Sequence, residues 1–320
     1  MKKTLVLILA MVLCFSFMTA CGKKSGKYPT QSIELVIPAS PGGGSDIMGR
    51  LLVEIIQEKK LCPQPVVAVN KPGGGGSAGQ AYVNSKKDPN HTIFTINDAH
   101  TIAATVSNTR PEGNFTPIAM LAADQVLFVT SKDSGFTTMD QAIEAIKANP
   151  NGLSVGVADQ LDKICVYDIN NSYGVQFKDV YFDSAGEIAT ALMGGHVNFG
   201  MFNPSECAAL VESGDLKALG IFATERNPAP FDDVPTFTEM GHGDLVFAMS
   251  RGILGPAGMS REAQQFWSDV FKIVCESDKW KEYLNTGGLT DSYMDCDTYA
   301  EYYEKNENML IEKAKALGDI

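Results

Sequence analysis

The chain has 320 residues, of which 44% are hydrophobic and 20% charged, a composition typical of a soluble globular protein with about two domains. It carries 26 lysines and arginines against 38 acidic residues, which gives a formal net charge of -12. The phosphate backbone of a nucleic acid would be repelled by that charge, and the sequence has no basic stripe, so we predict no nucleic-acid partner. A small anionic ligand held in a local pocket remains compatible with the charge.

The amino terminus has the pattern of a secretory signal. A cationic start precedes an apolar stretch from Leu5 to Met18, and small residues lead from it to Cys21. The stretch is shorter than the roughly 20 apolar residues that span a bilayer. Because the segment before Cys21 resembles the lipobox of bacterial lipoproteins, we predict a signal peptide over 1–20, lipidation of Cys21 and a tether over 21–27. The alternative is an ordinary signal peptide with an incidental cysteine.

Five further cysteines follow the candidate anchor: Cys62, Cys165, Cys207, Cys275 and Cys296. Their number is odd, their spacings are wide, and none forms a C-x-x-C pair. This pattern does not support a metal site, and we predict neither a metal nor a cofactor. We expect buried thiols with at most one or two disulfides.

The first part of the chain alternates strands and helices. Ile33–Ile37 is predicted as a strand, and apolar residues from Ile47 to Ile56 recur at helical spacing. Pro65–Val69 is a second strand, followed by a helix from about Ser77, and Thr92–Ile96 is a third strand. This order predicts a parallel sheet with crossover helices.

A second α/β unit follows, and we expect Leu121–Thr130 to be a long strand that leads into it. Capping boxes at Thr138 and Ser184 each open a helix. Further strands are predicted at Leu153–Val157, Val197–Met201 and Leu216–Phe222, and further helices from about Ser260 and Thr298. The predicted fold class is α/β, with two lobes joined by crossing strands and a ligand cleft between them.

Two glycine-rich loops are the most informative feature of the sequence. One, Pro38–Asp46, follows the first strand, and the other, Asn70–Gly79, follows the second. Both should lie side by side at the carboxyl edge of the sheet, where glycines allow close approach and helix amino termini attract anions. We predict that the loops hold a carboxylate, although either could be a plain turn. The candidate ligand-binding residues are Ser40, Gly42, Gly43, Gly44, Ser45, Gly73, Gly74, Gly75, Gly76 and Ser77.

Other functions of these glycines have weaker support. Neither loop has the Lys-Ser/Thr pair of a P-loop, and the acidic residue of a dinucleotide fingerprint is not clear. We expect Asp46 to cap its own helix. The four histidines, His91, His100, His196 and His242, lie in no catalytic motif and are expected at the surface or in turns. Because no nucleophile-base pair can be identified, we predict that the protein is not an enzyme.

The two loops resemble those of the substrate-binding proteins of tripartite tricarboxylate transporters, and the resemblance runs from about Tyr28 to the carboxyl terminus. The matching segments are Tyr28-Pro29, Pro38-Ala39-Ser40-Pro41-Gly42-Gly43-Gly44-Ser45-Asp46, Asn70-Lys71-Pro72-Gly73-Gly74-Gly75-Gly76, Phe115-Thr116-Pro117-Ile118, Gly194-Gly195-His196-Val197, Asp233-Val234-Pro235-Thr236 and Arg251-Gly252-Ile253-Leu254-Gly255-Pro256-Ala257-Gly258. No single segment is specific, but the ordered set is.

The resemblance implies a bilobed periplasmic-binding-protein fold of type II, with one lobe over 28–122 and 235–320 and the other over 123–234. It implies a small carboxylate ligand, a di- or tricarboxylate or a related organic acid, held by loop amides and water. The second lobe would contribute Asp159, Gln160, Asp183 and Ser184. The implied partners are the large and small membrane subunits of a transporter, reached from a lipid anchor outside the cytoplasmic membrane. The alternative is a sensor protein that presents its ligand to a membrane receptor.

The sequence departs from this family at Val157–Asp162, where a Gly/Ser-rich loop is usual. Two acidic residues there would repel a second carboxylate at short range. Our hypothesis is a ligand with a cationic or neutral distal end, or with a single carboxylate, whereas the alternative is that Asp159 only caps the next helix. Arg251 could bind a ligand carboxylate, or it could belong to a surface or interlobe ion pair.

Overall fold

The computed structural model describes residues 27–107 and 115–318. The predicted signal peptide and Cys21 lie outside these residues. Within the described ranges the chain forms eleven strands in two sheets, with ten α-helices packed around them.

The first sheet has six strands in the order β11-β4-β10-β3-β1-β2. They are β1 (Ile33–Ile37), β2 (Val66–Asn70), β3 (Thr92–Asn97), β4 (Thr116–Gln125), β10 (Ala248–Gly255) and β11 (Thr290–Met294). The strands β2, β1 and β3 are parallel neighbours, which confirms the predicted parallel unit. The strands β10, β4 and β11 extend it with antiparallel pairs, so the complete sheet is mixed.

The second sheet has five strands in the order β7-β6-β8-β5-β9. They are β5 (Leu127–Ser131), β6 (Ser154–Val157), β7 (Lys178–Tyr181), β8 (Phe199–Phe202) and β9 (Leu216–Ile221). The predicted α/β class with two lobes is confirmed, since each sheet carries its own helices and its own hydrophobic core.

The ten helices follow the periodicity of their apolar residues. They are α1 (Gly44–Glu58), α2 (Ser77–Asn84), α3 (Asp98–Val106), α4 (Met139–Ala148), α5 (Gln160–Tyr173), α6 (Ala185–Met193), α7 (Pro204–Glu212), α8 (Arg261–Cys275), α9 (Asp278–Gly287) and α10 (Cys296–Ala316). In α8 the buried residues Trp267, Phe271 and Val274 recur every three or four positions, so one face of the helix packs on the first sheet. The helix predicted from Thr298 begins two residues earlier because Asp295 caps it.

The prediction of one strand over Leu121–Thr130 is wrong. Strand β4 ends at Gln125 in the first sheet and β5 begins at Leu127 in the second, so Val126 separates two strands of different sheets. The hydrophobic pattern shows no break there because both strands are buried along this stretch.

The segment after β9 also packs against the second sheet. Thr236 forms a parallel bridge with Ile221 of β9, and Phe237 and Phe247 belong to the same buried cluster as Phe222. The predicted lobe limits stay a prediction, and from these contacts we propose that the second lobe extends from about 126 to about 247.

Candidate functional site

A cavity of about 650 Å³ lies between the carboxyl edge of the first sheet and the second lobe. The first lobe contributes Pro38, Ala39, Ser40, Pro72, Gly73, Gly75, Gly76, Asn97, Ala99, His100 and Ala103, and the second contributes Ala158, Asp159, Gln160 and Tyr181. A groove of about 700 Å³ elsewhere is lined only by residues between Lys132 and Met240 and contains none of the predicted site residues. The cavity between the lobes is therefore the candidate site.

The second glycine loop forms one wall of this cavity in a conformation that requires glycine. Gly73, Gly74, Gly75 and Gly76 have φ angles of 130, 55, 60 and 97°. A Cβ on Gly75 would lie 2.8 Å from Cβ of Ala103, and one on Gly76 would lie 2.6 Å from Cδ2 of His100. Both the backbone conformation and the available space exclude a side chain at these positions.

This loop presents unpaired hydrogen-bond donors. The backbone amide of Gly76 donates to the carbonyl of Gly73 at 3.1 Å, but the amides of Gly73, Gly74 and Gly75 donate to no described residue. They immediately precede α2, where the helix dipole adds a partial positive charge. Successive free amides before a helix are suited to binding an anion such as a carboxylate.

The first glycine loop is held by Asp46. Its Oδ2 accepts from the amide of Gly42 at 2.9 Å and from Nε of Arg50 at 3.0 Å, and its Oδ1 accepts from Nδ2 of Asn70 at 2.8 Å. The hydrogen bond from Arg50 is the main reason that the pKa of Asp46 falls to about 2. The N-cap of α1 is Gly43, so Asp46 does not cap the helix as expected, and instead ties the loop to the end of β2.

The facing loop of the second lobe is closed by its own aspartates. Oδ1 of Asp159 accepts from the amides of Leu161 at 2.8 Å and Asp162 at 3.0 Å, and Oδ2 of Asp162 accepts from the amide of Ala158 at 2.8 Å. Asp159 is the N-cap of α5 and also lines the cavity, so its capping role does not exclude contact with a ligand. Three amides that a Gly/Ser loop could offer to a ligand are therefore occupied.

These aspartates lie in an acidic environment. The Asp159 side chain is exposed at the cavity, and desolvation by the surrounding protein raises its pKa. Burial raises the pKa of Asp162 well above its usual range, and the charges of Asp159 and Glu206 add to that effect. Desolvation also raises the pKa of Glu206 to about 7. This wall of the cleft is therefore poorly suited to a further negative charge.

Arg251 lies outside the cavity. It is buried and donates to the carboxylate of Asp124 on the neighbouring strand, with Nε 3.2 Å from Oδ2. The pair joins β10 to β4 within the first sheet and is not at the surface. Arg251 also lines a smaller pocket of about 230 Å³ together with Gly44.

His100 is a cavity residue that the sequence reasoning missed. It was expected at the surface or in a turn, but it lies on α3 with 8% of its surface exposed. Its Nδ1 has no hydrogen-bond partner in the described structure. Burial, and then the charge of Arg251, lower its pKa to about 4, so the imidazole is neutral at pH 7. The available signal was its place just after β3, at the same sheet edge as the glycine loops.

The structure brings only some of the predicted site residues together. Those lining the cavity are Ser40, Gly73, Gly75, Gly76, Asp159 and Gln160. Those absent from its lining are Gly42, Gly43, Gly44, Ser45, Gly74, Ser77, Asp183 and Ser184. Ser184 caps α6 by accepting from the amide of Glu187. Ligand contact by each of these residues stays a prediction.

The described part of the chain contains no cluster of three or more His, Cys, Asp or Glu residues able to hold a metal ion. None of its helices combines the length and hydrophobicity needed to cross a membrane. Cys62, Cys165, Cys207, Cys275 and Cys296 are free thiols, and all except Cys62 are buried.

Several known proteins are similar to this chain. A relative from Cupriavidus necator, named as a UPF0065 protein in the gbd 5' region, is 30% identical over 91% of this chain and 89% of its own. The structure of a TctC solute-binding protein from Polaromonas has a TM-score of 0.76 at 23% identity, covering 90% of this chain and 99% of that one.

Two further structures of similar fold contain a ligand. MatC from Rhodopseudomonas palustris with bound malate has a TM-score of 0.71 at 20% identity, covering 89% of this chain and 99% of its own. An R. palustris protein with adipate has a TM-score of 0.74 at 20% identity, covering 91% and 98%. The Polaromonas neighbour is a solute-binding protein, and the matching family is one of transporter receptors rather than enzymes. Since the model of the tripartite tricarboxylate transporter family receptor matches residues 50–316, the chain belongs to that family.

Proposed function

We propose that this protein is an extracytoplasmic solute-binding lipoprotein that captures a small carboxylate between its lobes and delivers it to a tripartite tricarboxylate-type membrane transporter. The observation that carries the proposal is the pair of unpaired amides at Gly73 and Gly75 on the wall of the interlobe cavity. Amides that point at a ligand bind carboxylate oxygens without a cationic side chain. The malate and adipate of the two structural neighbours are also small carboxylates.

Closure of two lobes around a ligand requires that the ligand makes extra contacts in the closed state. Here a ligand in the cavity touches the glycine loop on one side and the Ala158–Gln160 segment on the other. Such a ligand would bridge the lobes, and the bridged form is the one that we expect the large and small membrane subunits to recognise.

Carboxylate binding is tested by thermal unfolding of the purified protein with mono-, di- and tricarboxylates and amino acids, each compared with the amide of the same acid. A ligand at 100 times its Kd adds about 2.7 kcal/mol to the stability of the folded state, which gives a visible rise in Tm. We expect at least one acid, and none of the amides, to raise Tm. If no acid does so, the carboxylate assignment is wrong.

The lipid anchor and the transporter need separate tests in cells. We expect Cys21→Ser to release the protein from the membrane fraction, because a diacylglyceryl group on that residue would supply the two acyl chains that stable anchoring needs. Deletion of the membrane subunits should abolish uptake of the bound acid while leaving binding intact. Uptake that persists without these subunits would favour the sensor alternative.

A further inference from the structure

The two walls of the interlobe cavity offer opposite chemistry to a ligand. The first wall offers the free amides of Gly73 and Gly75, which are donors. On the second wall, the amides of Ala158, Leu161 and Asp162 are already taken by aspartate oxygens. An anionic group reaching that wall would find no donor among these three amides.

The second wall also presents acceptors. Asp159 uses Oδ1 for both of its hydrogen bonds, so Oδ2 accepts from no described residue. Oε1 of Gln160 is buried and has no partner in the described structure. Tyr181 lines the same cavity, with 56% of its surface exposed. A carboxylate, an amide oxygen and an aromatic face together form a site that recognises a cation.

The described lining of the cavity contains no basic side chain that could offset the charge of Asp159. Among the described residues that line the cavity there is neither lysine nor arginine. His100 on the opposite wall is more than nine-tenths buried, and its Nδ1 has no partner. The unpartnered polar groups on both walls indicate that a polar ligand completes the site, and the charge of Asp159 indicates that its distal end is positive.

We infer that the ligand is a carboxylate whose other end carries a positively charged nitrogen, with the carboxylate on the Gly73–Gly75 amides and the cation against Asp159, Gln160 and Tyr181. The inference rests on the proposed function, since it assumes that the glycine loop binds the carboxylate. It adds that a dicarboxylate of the same length is selected against.

The experiment compares acids of equal chain length by isothermal titration calorimetry with the purified protein at pH 7.5. Each set has three members that differ only at the far end, for example 5-aminopentanoate, pentanoate and glutarate, and the sets cover backbones of three to six carbons. We expect the amino acid of the best set to bind at least tenfold more tightly than its methyl-ended analogue, and the diacid to bind most weakly.

The matched variant is Asp159→Asn, because asparagine preserves the N-cap of α5 while removing the charge. We expect it to reduce the preference for the amino acid over the diacid at least tenfold. Asp133→Asn makes the same charge change at an exposed position outside the cavity and should leave the preference unchanged.

The possible failures are distinguishable. If carboxylates bind but the diacid binds as tightly as the amino acid, or if Asp159→Asn leaves their ratio unchanged, the cationic subsite is wrong and the proposed function stands. If no acid with any distal group binds, the carboxylate function is wrong and this inference fails with it.

Discussion

Two loops that border the cavity from opposite lobes, Pro38–Asp46 and Ala158–Asp162, have the same architecture and opposite effects on the donors around them. Each follows a parallel strand and leads into a helix, and each is closed by aspartate. In the first lobe Asp46 binds mainly side-chain donors, and the amides of the neighbouring glycine loop stay free. In the second lobe Asp159 and Asp162 bind the loop's own amides. The aspartates of the second lobe therefore occupy the donors of their own loop, whereas Asp46 leaves those of the neighbouring glycine loop free.

We expect the largest effect from a substitution in the loop Gly73–Gly76, which offers the free amides. Gly76→Ala would place a Cβ 2.6 Å from His100 at a φ of 97°, so we expect a loss of about 2 to 4 kcal/mol in stability and at least a thirtyfold loss of affinity. Urea unfolding and calorimetry measure the two effects. Gly135→Ala is the control, because its φ is 79° but no atom lies within 4 Å. Equal affinities in the two variants would contradict the prediction.

A smaller effect is expected from releasing the first loop. Asp46→Ala removes the acceptor of the Gly42 amide and of the Asn70 side chain, and leaves Arg50 only its hydrogen bond to Asn70. We expect a loss of about 2 kcal/mol in unfolding free energy and a roughly tenfold weaker affinity. Asp297→Ala breaks only an exposed ion pair with Arg261 and should cost less than about 1 kcal/mol. A similar loss in both would mean that Asp46 does not organise the site.

The pH dependence of stability also distinguishes the two loops. Asp46 and Asp162 should contribute to the free energy of unfolding with opposite dependence on pH. The lowered pKa of Asp46, about 2, stabilises the fold above pH 4, and this is lost as pH falls towards 2. This pKa shift corresponds to about 2 kcal/mol in the free energy of unfolding. Screening by solvent should reduce that contribution to roughly 1 kcal/mol. The raised pKa of Asp162 contributes stability below pH 4 that is lost as pH rises through the folded-state value.

We therefore expect the cost of Asp46→Asn to grow as pH rises from 2 to 6, and the cost of Asp162→Asn to shrink over the same range. Asparagine retains a carbonyl acceptor at both positions, so the difference reports the charge. Urea titrations of the two variants and the parent protein at each pH measure it. Parallel trends in the two variants would show that the loops do not differ in this way.

The smallest effect is expected at Ser184, which caps α6 beside the acceptor wall but does not line the cavity. Ser184→Ala should lower stability by about 1 kcal/mol and change affinity by less than about twofold. Thr138→Ala removes the equivalent cap of α4 and should have the same cost. A loss of affinity in the Ser184 variant alone would show that this hydroxyl contacts the ligand.

The sequence predicted the donor wall well because its determinants are local. Strand alternation and helical spacing placed the two glycine loops on adjacent parallel strands, and Ile37 indeed pairs with Asn70 at the strand ends. The capping role of Asp159 was also among the alternatives, since aspartate before a helix favours an N-cap. The free or occupied state of each amide depends on three-dimensional geometry and could not be predicted.

Features that depend on tertiary contacts could not be predicted from local sequence patterns. Val126 ends one buried strand and precedes another, so hydrophobicity alone shows no boundary. His100 is buried by the close approach of Gly76, a contact between segments that no single pattern encodes. Helix α9 is rich in polar residues and buries only Trp280 and Leu284, so few apolar residues mark it in the sequence.

The last helix sets a limit on how far the cleft can open. Helix α10 has 21 residues, and an α-helix of that length is about 30 Å long. Its first turns bury Tyr299 and Tyr303 in the core of the six-stranded sheet. Its carboxyl-terminal end contacts the second lobe through Leu310 and through the ion pair of Lys313 with Asp168. The helix therefore contacts both lobes. A wide opening of the cleft must detach its carboxyl-terminal turns from the second lobe. A fluorophore placed on those turns would therefore report opening directly.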